Sequence, residues 1–385
     1  MTAADPTATA LTDRLEAALG PVLVGTRPRP FGAPGAPLPV VRPGDRAALA
    51  ELVGLARAEG LTLAPLGAGT KVDRTPPPPG LDLYVDTGAF ARVLAFEPGD
   101  GTLTAEAGAR MDDLVALAAG GDRAIVPAVA PGATLGGVLA TAEAGADRLL
   151  RGPLREHVLG LEVLLSDGRT SRSGGRLVKN VAGYDLHRLH LGAWGGLGLI
   201  LEATLRLFPV SRREVRLAVE VPDVPAGLEL AAELRAARPG ARRLHLARAG
   251  AGPTTLHLDL AGRAEAVEAD LAACASILGT DEPLPPSPPD PRPDLVLHAL
   301  PSRAPVLADL AAGLLADGTA TGLVLDPLLA RVALHTDSPP DLAALPAGVH
   351  RSLPRPDATP LPEAARPLAR AVETALDPTG TWARA

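Results

Sequence analysis

The chain has 385 residues, 46% of them apolar, a formal net charge of −7 and a single cysteine, Cys274. That length suits about two or three domains with an ample core. The negative balance argues against nucleic-acid binding through bulk charge, which needs clustered Lys and Arg, and one cysteine leaves no internal disulfide and no Cys-based zinc or iron–sulfur centre. Cys274 itself reads as a small buried residue in a helix. Any bound phosphate has to be held by aimed backbone N–H groups.

Residues 1–35 read as an irregular lead-in, with Pro and Gly concentrated over 26–39. Residues 1–20 lack a basic stretch followed by an apolar core, so they do not read as a signal peptide. No run reaches the roughly 18–20 apolar residues of a membrane span. The expectation is a soluble, cytoplasmic protein that meets a membrane only through partners.

Val40 and Val41 suggest a strand, and Gly44-Asp45 a helix cap. Leu49, Leu52, Val53 and Ala56 follow at helical spacing until Gly60, and 61–65 is the next strand, which makes a βαβ unit. Strands are expected at 81–85 and 102–107. Met111, Leu114, Val115 and Ala118 mark a second helix that ends at Gly120-Gly121. Residues 161–165 and 169–172 flank an Asp167-Gly168 turn and read as a hairpin. Leu201, Ala203, Leu205 and Leu207 alternate as a strand, and Pro209 closes the region.

Beyond Pro209 the order is β (215–221), α (226–237), β (243–248), β (255–260), α (263–278), the opening of a ferredoxin-like layer. A Pro-rich break at 283–293 follows, then weaker signals to about 337 and a helix near 363–376.

Three glycine-rich segments carry the chemistry. Gly67-Ala68-Gly69-Thr70 directly follows a strand and exposes N–H groups without side-chain bulk. It is neither a Walker A loop nor a G-x-G-x-x-G turn. The segment 131–137, Pro-Gly-Ala-Thr-Leu-Gly-Gly, runs into a helix start. The segment 183–198 contains repeated glycines, which implies backbone pressed against something flat or bulky.

In order and spacing these pieces, with 39–43, 157–168, Lys179-Asn180-Val181-Ala182-Gly183-Tyr184-Asp185-Leu186 and 195–207, resemble the PCMH-type FAD-binding domain of the vanillyl-alcohol oxidase/p-cresol methylhydroxylase superfamily. Within that family they are most similar to the FAD-binding E subunits of bacterial glycolate oxidases. The resemblance spans about 36–208. It implies an α+β protein, with a two-subdomain FAD-binding domain at 36–209, a smaller ferredoxin-like α+β cap at 210–362 and a C-terminal helix and tail at 363–385.

It also implies roles. Gly67, Ala68, Gly69 and Thr70 cradle the FAD pyrophosphate; Pro131, Gly132, Thr134, Gly136 and Gly137 line the phosphate and ribityl side; Thr141 lies near the flavin; and Leu199, Ile200 and Leu201 meet a ring edge. With Thr70 and Lys71 where some relatives attach FAD through His, the cofactor is expected to be non-covalent. The implied partners are a homologous FAD-containing catalytic subunit and an iron–sulfur subunit, and the implied substrate is a small 2-hydroxy acid such as glycolate. With one cysteine, this chain is not the iron–sulfur partner.

Departures from the family pattern are Leu66 before the first glycine turn, Ala142 where many catalytic relatives carry Asn, and Ala193-Trp194-Gly195-Gly196 in place of Ser-Glu-Gly-Thr. The ending Asp377-Pro378-Thr379-Gly380 lacks the family's Asn-Pro-Gly portion, so its return to the FAD domain is left open.

Oxidising a hydroxy acid needs a proton acceptor and a cation for the carboxylate. His245, His257, His298, His335 and His350 stand at isolated spacings, with no metal-ligand pattern, and His257 reads as a solvent-facing strand residue. Tyr184, His187 and His190 are the candidates for a catalytic role, with structural or surface positions as the alternative. Arg148, Arg151 and Arg155 either neutralise a phosphate or solvate a loop. Three readings remain open: an FAD-bearing subunit of a complex, a self-sufficient D-2-hydroxy-acid dehydrogenase, and a structural subunit without FAD.

Overall fold

The structure, a computed structural model, describes residues 6–27, 37–72, 80–126, 131–143, 145, 147–176, 184–237, 239–250, 252–285, 293–336, 345–346, 349–353 and 366–383. Most of the 179–186 segment and the start of the 127–137 loop lie outside these residues.

In chain order the elements are α1 (Pro6–Leu19), β1 (Leu23–Arg27), β2 (Leu38–Val41), α2 (Arg46–Glu59), β3 (Thr62–Leu66), β4 (Leu81–Asp86), β5 (Val93–Glu97), β6 (Thr102–Glu106), α3 (Met111–Gly120), β7 (Arg123–Ala124), α4 (Leu135–Thr141) and α5 (Arg148–Arg151). Then come β8 (Val158–Leu164), β9 (Thr170–Gly174), α6 (His187–His190), β10 (Leu199–Arg206), β11 (Phe208–Pro209), β12 (Arg213–Val221), α7 (Val224–Ala237), β13 (Ala241–Ala249) and β14 (Thr254–Gly262). The chain ends with α8 (Ala264–Leu278), β15 (Leu295–Ala299), α9 (Ala304–Ala316), β16 (Gly322–Asp326), β17 (Arg331–His335), β18 (Val349–Leu353) and α10 (Arg366–Leu376).

Two compact units form. The first comprises Met1–Glu143, Leu154–Phe208 and Asp357–Ala385; the second comprises Ala144–Pro153 and Pro209–Pro356. The lead-in is not irregular as expected. It contains α1, whose Leu11 and Leu15 are buried in the same core as α2, and β1, which pairs antiparallel with β2. Burial of two leucines one helical turn apart outweighs the weak patterning of an Ala/Thr-rich segment.

In the first unit, β1-β2-β4-β3 form one sheet in which β2, β4 and β3 run parallel. α2 covers it with Leu49, Leu52, Val53 and Ala56, all buried. Both ends of α2 follow the sequence reading. Asp45 accepts a hydrogen bond from the Ala48 N–H at 2.8 Å, and Gly60 closes the helix at φ 69°. The second sheet, β5-β6-β10-β8-β9, is antiparallel. One face packs Leu103, Ala105, Leu161, Val163, Ala203 and Leu205 against α3 and α4.

The other face of this sheet carries a row of three carboxylates. Glu202 stands in register with Glu106 on one side and Glu162 on the other. Like charges directly opposite repel, and three arginines offset them. Arg46, the first residue of α2, reaches Glu162 at 3.0 Å and also pairs with Glu202. Arg172 pairs with Glu162 at 2.9 Å and Arg92 with Glu106 at 2.8 Å.

The tail returns to this unit, settling the question left by its degraded motif. The Leu63 N–H donates to the Thr381 carbonyl at 2.8 Å, and the Ala383 N–H donates to the Leu63 carbonyl at 2.7 Å. The tail thereby covers β3, the end strand of its sheet. Asp377 accepts from the N–H groups of Thr381 and Trp382 at 2.9 and 3.2 Å, which seats Trp382 in the core at 1% exposure.

The second unit is a seven-stranded antiparallel sheet, β12-β14-β13-β16-β17-β15-β18. Its β-α-β-β-α opening is as expected, and four further strands widen it. α7, α8 and α9 pack on the sheet through Leu234, Val267, Cys274 and Leu307. Burial pushes the Cys274 thiol up to about 11, consistent with an inert packing residue.

One sequence expectation is corrected in this unit. His257 is not a lone solvent-facing residue: it stands in register with His245 across β14 and β13, and the rings stack at 4.8 Å. Arg148 and Arg151 lie on α5, which packs against β13. Among the described residues no cluster of His, Cys, Asp and Glu could hold a metal, and no helix is long and apolar enough to cross a membrane.

Trp382→Ala is expected to lower the stability of the first unit by about 3–5 kcal/mol. Asp377→Ala is expected to lower it by about 1–3 kcal/mol, because it orphans two buried N–H groups. Urea unfolding checks both.

A second test is acid. Burial opposes ionisation of Glu162, but the hydrogen bonds from Arg172 and Arg46 outweigh it and hold the carboxyl below its ordinary value. Glu106 is held low in the same way, by Arg92 against burial. A lowered folded pKa stabilises above the unfolded value and loses that contribution as pH falls through the folded one. The unfolding midpoint should therefore drop below about pH 4.5. Arg46→Ala should lower the midpoint at neutral pH and shrink the acid loss.

Candidate functional site

The three glycine segments meet in the first unit. Gly67 leaves the end of β3; α4 begins at Leu135, capped by the Thr134 hydroxyl; and 192–198 precede β10. A Cβ on Gly67 would collide with the Thr134 hydroxyl. One on Gly136 would sit 2.8 Å from the Ala107 methyl, and one on Gly195, at φ 84°, would sit 2.7 Å from the Pro65 ring. These turns touch because they lack side chains.

Backbone hydrogen bonds lock the contacts. The Gly136 N–H donates to the Ala107 carbonyl at 2.7 Å, the Trp194 N–H to Ala140 at 2.9 Å and the Gly192 N–H to Leu139 at 3.1 Å. At the end of β4 the Thr87 N–H donates to the Leu66 carbonyl at 2.9 Å.

Between these turns lies a cleft of about 480 Å³, counted to its open mouth. Pro65, Gly67, Thr87, Ala107, Gly136, Gly137, Ala140, His190, Ala193, Trp194, Gly195, Gly198, Leu199 and Ile200 line it. It opens at the C-terminal ends of parallel β3 and β4, where open α/β sheets commonly place ligands. No cation is among the described lining residues, and nearby Lys71 pairs with Glu143 at 2.7 Å.

Of the residues anticipated for FAD, Gly67, Gly136, Gly137, Leu199 and Ile200 line this cleft. Thr134 stands behind Gly67 as the cap of α4. Thr141 does not face the cleft: its hydroxyl donates to the Gly137 carbonyl at 2.8 Å, within its own helix. Leu201 is a core residue whose carbonyl accepts from Ala107. Ala68, Gly69, Thr70, Pro131 and Gly132 lie outside the lining. The Gly69 carbonyl accepts from Arg27 at 3.2 Å, and the Gly132 N–H donates to Asp112 at 2.9 Å.

The three catalytic candidates separate. Tyr184 is 90% exposed and away from the cleft. His187 is buried beside the Ser173 hydroxyl, 3.4 Å from its Nδ1, and burial lowers its pKa. Of the three, only His190 lines the cleft. Burial, with His187 nearby, pulls its pKa down to about 4.

Thr87 and Ala107 were missed, although both directly follow strand ends beside the first glycine turn. Within the glycine-rich segment 183–198, Trp194 adopts φ 55°, a strained value for a bulky residue.

Gly67→Ala, Gly136→Ala and Gly195→Ala should each destabilise the first unit by about 1–3 kcal/mol and weaken occupancy of the cleft. Gly54→Ala, on α2 with open space around it, should instead stabilise by about 0.5–1 kcal/mol. Urea unfolding and fluorescence titration of the variants read both effects.

Comparison with known proteins agrees with this geometry. Residues 37–174 match the family described as FAD binding domain. The chain is 32% identical over 189 residues to glycolate oxidase subunit GlcE of Escherichia coli, covering 48% of this chain and 53% of that one. It is 40% identical over 102 residues to a D-lactate dehydrogenase of Archaeoglobus fulgidus, covering 26% and 23%. The chain thus spans about half and a quarter of the lengths of these relatives. A solved alkyldihydroxyacetonephosphate synthase superposes with a TM-score of 0.67 at 13% identity, covering 91% of this chain and 76% of that one, which speaks for a shared α+β fold alone. Residues 37–174 are thus similar to an FAD binding domain, and this match supports FAD as the cofactor.

Proposed function

We propose that this chain is the FAD-bearing subunit of a complex that oxidises small 2-hydroxy acids such as glycolate, with a role in electron transfer or assembly. The observation that carries the reading is the cleft: separate backbone turns, intolerant of a Cβ, converge on a largely apolar space lined in part by the matched segment 37–174 and in part by residues 190–200 that follow it. Likeness to a glycolate oxidase subunit and to a D-lactate dehydrogenase supports the substrate class.

FAD, held non-covalently, supplies the two-electron chemistry. The chain's own residues position it. Gly67 brings its backbone to the pyrophosphate side, Gly136 and Gly137 border the ribityl side, and Leu199 and Ile200 border the ring. The partners are a homologous flavin subunit and an iron–sulfur subunit, through which the assembly meets the membrane.

A self-sufficient D-2-hydroxy-acid dehydrogenase is the second reading, and one observation favours it. The chain is similar to a D-lactate dehydrogenase of Archaeoglobus fulgidus, while on β13 the buried Arg243 is already paired with Asp326 at 3.3 Å beside the stacked His245 and His257.

The test is an absorption spectrum of the purified chain, taken anaerobically before and after glycolate or D-lactate. A flavin band that persists with the chain alone and bleaches once both partner subunits are added supports the subunit reading. Bleaching of the chain alone establishes the second reading. A chain that stays colourless after incubation with FAD rejects both.

A further inference from the structure

Among the described residues lining the cleft, His190 is the one with an ionisable side chain. It ends α6, is 6% exposed, and its Nδ1 is buried without a hydrogen-bond partner. Buried polar atoms in folded proteins are overwhelmingly paired, and His190 combines an unpaired nitrogen with a place among the lining residues, so a ligand seated there can supply the missing partner. His187, one turn earlier, supplies the contrast: it is equally buried but sits beside the Ser173 hydroxyl.

The surroundings say which part of a flavin nucleotide meets His190. A diphosphate calls for cations or converging N–H groups. Here the Ala193 N–H donates to the His190 carbonyl and the Trp194 N–H to the Ala140 carbonyl, and Leu199 and Ile200 line the same cleft. Those surfaces suit a flat ring system. The turn that presents them is also held rigidly, with Trp194 at φ 55° and its N–H bonded to the Ala140 carbonyl.

We propose that His190 hydrogen-bonds a ring nitrogen or ring carbonyl of the isoalloxazine, and so is the side chain through which this protein sets the affinity and the visible spectrum of its flavin. The inference rests on the FAD reading above and adds a specific contact to it. The lowered pKa of His190, about 4, means that the imidazole meets the ring uncharged. It acts as a donor or acceptor and not as a counter-charge.

Three variants test the contact: His190→Leu removes the polar edge at similar size, His190→Gln keeps an amide donor and acceptor, and His187→Leu controls for packing. FAD titration, the position of the long-wavelength flavin band and unfolding of the apo-protein are read for each. His190→Leu should leave the apo-protein at least as stable, since it removes an orphaned nitrogen, while weakening FAD about tenfold and shifting the band. His190→Gln should stay within about threefold of the parent. His187→Leu should lower stability and leave the band in place.

If the parent binds FAD and His190→Leu matches it in affinity and band, the contact does not exist. If His190→Leu loses affinity with the band unmoved, His190 meets another part of the nucleotide and the ring contact is overturned. A parent that fails to bind FAD removes the flavoprotein reading itself, a result distinguishable because it appears without any substitution.

Discussion

The first unit depends on glycine backbone approaching neighbouring side chains at contacts that leave no room for a Cβ. Gly67 against Thr134, Gly136 against Ala107 and Gly195 against Pro65 together bring the ends of β3 and β6, the start of α4 and the approach to β10 around one cleft. Glycine is costly in conformational entropy. Hydrogen bonds from Gly136, Gly192 and Trp194 offset part of that cost by making each contact a fixed one. A binding surface built this way offers main-chain atoms and small apolar faces, which suits a large, flat, charged-at-one-end cofactor better than a small acid.

Electrostatics hold the two sheets of that unit in the geometry the glycines need. Glu106, Glu202 and Glu162 stand abreast on three strands, an arrangement that repels itself in isolation. Arg46 resolves it from the first turn of α2, a position the helix dipole disfavours for a cation. The same residue therefore ties the parallel sheet, through its covering helix, to the antiparallel one. The tail adds a second tie: Trp382 fills the core under α2 while its neighbours occupy the edge of β3.

Local features were legible in the sequence, and tertiary ones were not. α2 could be read from Asp45, its apolar stripe and Gly60, because capping and periodicity are short-range. α1 could not, since its two buried leucines signal nothing until β2 and α2 supply a core. The glycine segments were visible singly, but their convergence joins positions more than a hundred residues apart. The His245–His257 stack depends on strand register, which alternation alone does not give. Tyr184 was left open in sequence, because a tyrosine next to a glycine segment looks the same whether it faces a ligand or water; it is 90% exposed.

The distribution of side-chain chemistry then bears on the division of labour. In the cleft, polar function rests on Thr87, His190 and the backbone, with no cation among the described lining residues. An uncharged imidazole can hydrogen-bond a ring, but it cannot hold a carboxylate as a guanidinium does. A lining of main-chain atoms, small apolar faces and one uncharged imidazole, among the described residues, is suited to a flat ring and fits the proposed subunit reading.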